Sequence, residues 1–155
     1  MVVVGALSMV ACSGNSIDAE LIVSGSFTLT EDGESLDAPY GVAEVLESGT
    51  VSIIAGTGQV GCGSSSAPFP PPSGVYLNVQ VPEAVPGTPD EQFFQIYVIE
   101  GDDLNATGSS GGSVIVNSVT DVEGGREMEL VVGFGTEVEG KSYMATGVFT
   151  VVLCN

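Results

Sequence analysis

An alternation of apolar and polar residues with a period of two sets the fold class of this chain. In residues 20–30 one row is mostly apolar and the other carries mostly hydroxyl groups, and the pattern recurs in 77–81 and 127–132. Successive side chains of a β-strand point to opposite faces, so this period predicts strands with one buried face. The 22 glycines and 8 prolines interrupt the chain too often for convincing helices.

The remaining strands follow from the same pattern and from the turns between them. We expect them at 40–48, 50–55, 93–100, 113–119 and 142–154. Glycine-containing turns at 31–34, 123–126 and 139–141 suit tight hairpins, whereas 56–74 and 82–92 are proline-rich or glycine-rich loops. The sequence therefore predicts an all-β fold, a single antiparallel β-sandwich or partly open barrel of about eight strands.

The charge of the chain excludes several classes of function. There are 20 acidic residues, 2 basic residues (Arg126 and Lys141) and no histidine, which gives a formal net charge of −18. Nucleic acid is excluded as a partner, because phosphate binding needs clustered Lys and Arg. Catalytic sites that need histidine cannot be built, and we do not expect an enzyme. The 43% hydrophobic content still predicts a folded domain.

The N-terminal segment indicates export. Residues 1–11 are mostly apolar and too few to span a bilayer, which fits the hydrophobic part of a signal peptide. Met9-Val10-Ala11-Cys12 resembles the lipobox of bacterial lipoproteins, in which the cysteine is lipidated and becomes the new N-terminus. The basic start of such a signal is missing, so we interpret the segment as truncated. A buried N-terminal strand at 2–4 with an ordinary Cys12 is the alternative.

The C-terminal residues carry a second resemblance. The run 112–119, the acidic glycine turn, the strand 129–134 and the run 145–154 are similar to small acidic β-rich lipoproteins of myxobacteria and their relatives. Those proteins are uncharacterised, so the resemblance implies a location and a fold but no site. The expected organisation is a signal segment at 1–11, a tether at 12–19 and the β-sandwich at 20–155.

The cysteines predict a disulfide bond. Once Cys12 is used as the lipid anchor, Cys62 and Cys154 remain in a chain that has left the reducing cytoplasm. We expect them to pair, with two buried free thiols as the alternative. Zinc is a poor third interpretation, because two separated cysteines without histidine do not supply the usual four ligands.

Two further patterns suggest chemistry. The motif at 56–61 matches G-x-G-x-x-G, but the residues after it cannot form the helix that dinucleotide binding requires. Acidic residues cluster at 31–37 and 100–105, and carboxylate and amide oxygens are the ligands that calcium prefers. Asp102, Asp103 and Asn105 are the candidate calcium ligands, and a solvated acidic turn is the alternative. No other cofactor is expected.

These observations predict a lipid-anchored, non-catalytic β-sandwich of the cell envelope with a binding or structural role. The alternative is a subunit of an extracellular assembly that donates strand 20–30 to a neighbour's sheet, and a hydrolase that uses carboxylates or calcium is third. The expected location is the outer membrane or cell surface, with the membrane contacted through the lipid. A protein or glycan partner is left open, as is self-assembly. The excess of acids also predicts that salt stabilises the domain.

Overall fold

The computed structural model describes residues 19–63, 72–109 and 111–154, which form ten β-strands and no helix. This confirms the all-β prediction. The segment that resembles a lipobox, including Cys12, lies outside the described residues. No helix in the described ranges is long and apolar enough to cross a membrane. The strands are β1 Ser24–Glu31, β2 Glu34–Leu36, β3 Tyr40–Val45, β4 Val51–Gly56, β5 Gly74–Val81, β6 Phe93–Glu100, β7 Asp103–Ser109, β8 Ser113–Val122, β9 Gly125–Val138 and β10 Lys141–Cys154.

The strand β10 joins the two halves of the structure. One of its edges pairs with β9 along residues 141–153. The other edge is shared, because residues 143–150 pair with β1 and residues 152–154 pair with β3. We call β2, β1, β10, β9 and β8 the first sheet. The second sheet runs from the end of β10 through β3, β4, β5 and β6 to β7.

Two features of the topology go beyond the sequence prediction. The β3–β10 pairing is parallel, whereas the other pairings between strands are antiparallel, so the sheet is mixed. The short strand β2 and the strand β7 were not expected. The sequence of β7, Asp-Leu-Asn-Ala-Thr-Gly-Ser, contains too few apolar residues to show an alternation, and this strand forms as the hairpin partner of β6.

The main hydrophobic core lies between the inner faces of the two sheets. The rings of Phe94 in β6 and Phe134 in β9 stack with centroids 5.2 Å apart and so connect the sheets directly. Large fully buried side chains come from both sheets, and they include Leu29, Ile53, Leu77, Phe94, Ile96, Met128, Leu130, Tyr143 and Phe149. Burial of these apolar surfaces is the main stabilising term of the fold.

Tight turns form where the sequence predicted them. Asp32 and Gly33 between β1 and β2 have φ values of 49° and 87°, and Glu139 and Gly140 between β9 and β10 have values of 50° and 82°. Two successive residues with positive φ are typical of type I′ turns, whose twist matches that of the flanking strands. Asp32 and Glu139 therefore each occupy a left-handed conformation beside a glycine.

Glycines in β1 and β10 make room for an aromatic pair in the core. Gly25 lies opposite Phe149, and Gly147 lies opposite Phe27. The two rings pack with centroids 5.0 Å apart. A Cβ atom at Gly147 would collide with the backbone carbonyl of Ser26, so glycine is required for this close approach of the strands.

Candidate functional site

A disulfide bond joins Cys62 and Cys154, as the sequence predicted. The Cα atoms are 5.7 Å apart, and 92 positions separate the two residues in the sequence. The bond ties the end of β10 to the segment that follows β4. Cys62 is exposed and Cys154 is 8% exposed, so the bond lies at the surface of the second sheet.

The glycine-rich segment after β4 folds back over the outer face of the second sheet. Val60 is 1% exposed there and packs in a second hydrophobic cluster with Ile54, Tyr76 and Ile99. The backbone N–H of Glu20 donates to the carbonyl oxygen of Val60 at 2.7 Å. The described residues 57–63 contain no helix. In this fold the G-x-G-x-x-G segment covers the sheet and positions Cys62.

Polar side chains are also buried on this outer face. Asn78 and Ser52 are 2% and 3% exposed, and Asn78 Nδ2 donates to Ser52 Oγ at 2.8 Å and to the carbonyl oxygen of Ile53 at 3.3 Å. Nearby, Tyr97 donates its hydroxyl hydrogen to Gln95 Oε1 at 2.6 Å. Burial raises the pKa of Tyr97, and it raises the pKa of Tyr76 to about 12. On this face Asn78 is therefore hydrogen-bonded to Ser52, and Tyr97 is hydrogen-bonded to Gln95.

The candidate calcium ligands lie at the β6–β7 hairpin. Asp102 is in the turn, whereas Asp103 and Asn105 lie two residues apart on the same side of β7. Asp103 is directly opposite Glu100 in β6. In the described residues no group of three or more His, Cys, Asp or Glu side chains has an arrangement that could hold a metal ion. Calcium binding here remains a prediction from the sequence.

The second acidic cluster joins two turns of the first sheet. Glu31 accepts a hydrogen bond from the hydroxyl of Tyr143 at 2.9 Å and forms an ion pair with Lys141 at 3.3 Å. Asp32 and Ser142 exchange two further hydrogen bonds at 2.7 and 2.8 Å. Burial raises the pKa of Tyr143, and its hydrogen bond to the negatively charged Glu31 raises it further. The cluster holds the β1–β2 and β9–β10 turns together.

Beside the disulfide, the β8–β9 turn borders an open cavity of about 470 Å³. Its charged lining consists of Glu20, Glu123, Arg126 and Glu127, and its apolar lining includes Val122 and Leu153. The cavity is therefore lined by three carboxylates and one guanidinium group.

The outer face of the first sheet includes a continuous uncharged surface that spans four strands. One of its rows can be traced through the strand register: Ser26 is opposite Val148, Val148 is opposite Val131, and Val131 is opposite Ile115. We call the following residues the uncharged face, because none of them carries a charge: Ser26, Thr28, Thr30, Ser113, Ile115, Val131, Gly133, Gly135, Met144, Thr146 and Val148.

The uncharged face is open to solvent at three of its four apolar positions. Met144, Val148 and Ile115 are 53%, 47% and 42% exposed. Glu137 and Glu129 border the face along β9, and Asn117 Nδ2 donates to Glu129 Oε1 at 3.0 Å. Many of the other acids lie in turns and loops at strand ends, such as 31–34, 90–91, 100–103 and 121–123. The fold therefore keeps negative charge at the margins of this face.

Sequence reasoning found only part of the uncharged face. The hydroxyl row of β1 was visible in residues 20–30, because those positions alternate with apolar ones. Val131 and Val148 were missed, because each stands beside buried apolar residues and the run hides which side chain points outward. The register between strands is needed to align these residues into one surface.

The strand proposed for donation to a neighbour is paired within its own sheet. β1 pairs with β10 along Ser24–Glu31 and with β2 at residues 29–31. Leu29 is 0% exposed in the core, whereas Leu21 and Val23 are 60% and 45% exposed ahead of the strand. The apolar row of 20–30 is thus divided between the core and the surface.

Comparison of the chain with protein-family models, with curated proteins and with solved structures found no significant match.

Proposed function

We propose that this protein is an exported, lipid-anchored β-sandwich of the cell envelope that acts by surface contact and not by catalysis. The observation that carries the proposal is the uncharged face of the first sheet. An open sheet face suits contact with another surface, whereas sites for small molecules are usually concave and enclosed. Exposed apolar groups bounded by polar residues are typical of interaction surfaces.

The proposed location rests on two other features. The disulfide between Cys62 and Cys154 suits an oxidising compartment outside the cytoplasm. Met9-Val10-Ala11-Cys12 resembles a lipobox, so Cys12 would carry the lipid and residues beyond it would serve as a tether. The membrane is then a partner through the anchor alone, and the uncharged face stays available for a second contact.

Mass spectrometry of the native protein tests the anchor. We expect a chain that begins at Cys12 and carries lipid, recovered in the membrane fraction. The Cys12→Ser variant should lack the lipid and leave that fraction. An unmodified chain that begins at Met1 would overturn the lipoprotein part of the proposal.

Photo-cross-linking in cells tests the contact function. A benzophenone amino acid replaces Val148 on the uncharged face or, as a control, Thr88, which is exposed in the loop between β5 and β6. We expect irradiation to give discrete adducts from position 148 and none from position 88. Equal labelling at both positions, or no adduct from either, would contradict a contact function of this face.

A further inference from the structure

We infer that the free edge of β7 binds an extended, basic segment of a partner protein, which adds to the second sheet as a further strand. The second sheet ends at β7, and within the described residues no strand or loop pairs with the edge that faces away from β6. Strand addition of this kind uses the backbone groups of an open sheet edge. The edge is separate from the uncharged face, so the inference goes beyond the proposed function.

The β6–β7 turn shows which backbone groups of β7 are free. Glu100 and Asp103 close a two-residue turn in which Gly101 has a φ of 62°, as the first central residue of a type II′ hairpin does. The closing pair of such a hairpin is hydrogen-bonded, so the alternation of the antiparallel ladder turns the N–H and C=O groups of 104, 106 and 108 away from β6. All three residues are exposed, and none has a further partner in the part of the chain that the structure describes.

The strands that end the first sheet are protected against such pairing, whereas β7 is not. β2 has three residues, one of them Glu34. On β8, Val116 exchanges two hydrogen bonds with Gly87 of the β5–β6 loop, and the register shifts between Val116 and Ser118. Short strands, covering loops and bulges all keep a sheet edge from pairing with another chain. β7 has seven residues in unbroken register with β6, no proline, and a charge only at Asp103.

Charge decides which partner suits this edge. Glu100, Asp102 and Asp103 are exposed at the hairpin end of β7, and the chain as a whole carries −18. These carboxylates attract a cationic segment and repel an acidic one, including a second copy of this chain. Antiparallel pairing is the more stable arrangement, and it places the C-terminal end of the added strand beside Asp103. We therefore expect Lys or Arg at that end of the partner segment.

The side chains beside the edge favour apolar residues at alternate positions of the added strand. Leu104 and Phe93 are 42% and 39% exposed, and both lie on the outer face of the second sheet. The Phe93 ring lies close to Gly108, because a Cβ atom at Gly108 would be 2.7 Å from its Cζ atom. Every second side chain of an added strand would lie beside these groups. A segment that alternates apolar and polar residues therefore suits the edge.

Fluorescence anisotropy with defined peptides tests the inference on the full chain in a Cys12→Ser background. The probe is an N-terminally labelled, C-terminally amidated peptide of alternating threonine and valine that ends in two lysines. Ala106→Pro removes an outward N–H and leaves the hydrogen bonds of the neighbouring residues to β6 in place, as proline does in edge strands. Ala106→Val is the matched control, because it keeps the N–H.

We expect the dissociation constant of the lysine peptide to rise at least about tenfold in Ala106→Pro and to stay within about twofold in Ala106→Val. A peptide that ends in two glutamates should bind the unmodified edge at least about tenfold more weakly at low salt. Equal affinity of the two variants for the lysine peptide, or no binding of it to the unmodified chain, would overturn the inference. Equal affinity of the two peptides would overturn the basic character of the partner.

Amide hydrogen exchange gives a measurement that needs no variant of the edge. Saturating lysine peptide should slow the exchange of the outward amides of Ala106 and Gly108 at least about tenfold. The amide of Gly124, in the turn between β8 and β9, is the control and should exchange at an unchanged rate. Unchanged exchange at positions 106 and 108 would contradict binding at this edge.

Sedimentation of the chain without peptide separates a basic partner from a second copy. We expect Ala106→Pro to leave the sedimentation of the chain unchanged. A concentration-dependent dimer that this variant abolishes would assign the edge to a second copy and overturn the basic partner. None of these outcomes decides the contact function of the uncharged face, which photo-cross-linking at position 148 measures on the other sheet.

Discussion

On the outer face of the second sheet, Ile54 and Tyr76 are 2% and 0% exposed, whereas on the outer face of the first sheet Met144 and Val148 are 53% and 47% exposed. Both surfaces belong to strands whose other side faces the same core. The difference comes from the segment after β4, which covers the second sheet and is fixed by the Cys62–Cys154 bond. The covered face contributes to stability, and the open face is available for contact.

The sequences of the strands reflect this difference in burial. In β4, Val51–Gly56 is buried at every position, so both faces need apolar or small side chains. In β10 buried and exposed positions alternate, and the outer row includes threonines that water can solvate. A sheet face without charge is therefore not by itself a sign of burial. The covering segment decides whether it is buried.

Removing the disulfide should give the largest effect, because it fixes the covering segment. For a closed loop of about 90 residues, loss of the bond removes about 4–5 kcal/mol in the chain-entropy model. The double variant Cys62→Ser/Cys154→Ser should show this loss in urea unfolding, whereas Cys12→Ser should unfold as the unmodified chain does. A loss of stability below about 1 kcal/mol would show that the covering segment stays in place without the disulfide.

Truncation of one side chain on each outer face tests whether the two faces differ in burial. Ile54→Ala should lower the free energy of unfolding by about 2–5 kcal/mol, because it leaves a cavity beneath the covering segment. Val148→Ala should lower it by no more than about 0.5 kcal/mol, because the side chain is largely in water. Urea unfolding measures both values. Similar losses would mean that the two faces are not distinguished by burial.

The buried phenols of the two sheets should make stability fall at alkaline pH. Burial raises the pKa of Tyr76 in the second sheet to about 12, and burial together with Glu31 raises the pKa of Tyr143 in the first sheet. Unfolded tyrosine has a pKa of about 10, so above that pH the unfolded chain binds fewer protons and the free energy of unfolding falls as pH rises. The stabilisation is fully present below about pH 10.

Urea unfolding between pH 8 and the alkaline limit measures this slope. Tyr76→Phe and Tyr143→Phe should each reduce the fall, by up to about 1.4 kcal/mol per pH unit for one proton. High salt should reduce only the contribution of Tyr143, because part of its shift comes from the charge of Glu31. If neither variant changes how steeply the free energy of unfolding falls with pH, Tyr76 and Tyr143 are not the groups responsible for that fall.

The smallest effect is expected from the ion pair that links the two turns of the first sheet. Lys141 is 53% exposed in this pair, so Lys141→Gln should lower the free energy of unfolding by less than about 1 kcal/mol, and by nothing measurable at about 1 M salt. Glu31→Gln is the matched control, because it removes the same pair while keeping an oxygen that can accept from Tyr143. A larger loss of stability from Lys141→Gln would show that the first sheet depends on the positive charge of Lys141.

The sequence allowed most strands to be predicted, because alternation is a local property. Strand 93–100 was placed without error, and the strands near 50–55, 113–119 and 142–154 were placed within three residues at either end. The Asp-Gly turn at 32–33 and the disulfide followed from turn chemistry and cysteine number. These signals depend on a few neighbouring residues or on composition.

The open and covered faces could not be predicted, because they depend on strand order. The parallel contact of Val152 with Val42 joins residues far apart in the chain, and nothing near either residue indicates it. The alignment of Val148 with Val131 and Ile115 requires the register of three strands. β7 was missed because its sequence contains a single large apolar residue, Leu104.

The position of β10 in the chain has a consequence for how this protein is made. β10 lies between β1, β3 and β9, and it is the last of the ten strands to leave the ribosome. The core cannot close, and Cys62 cannot meet its partner, until that strand is available. Pairings between distant residues also make folding slow. A growing chain of this kind therefore stays unfolded until its last strand is made, which is the state that the proposed export would require.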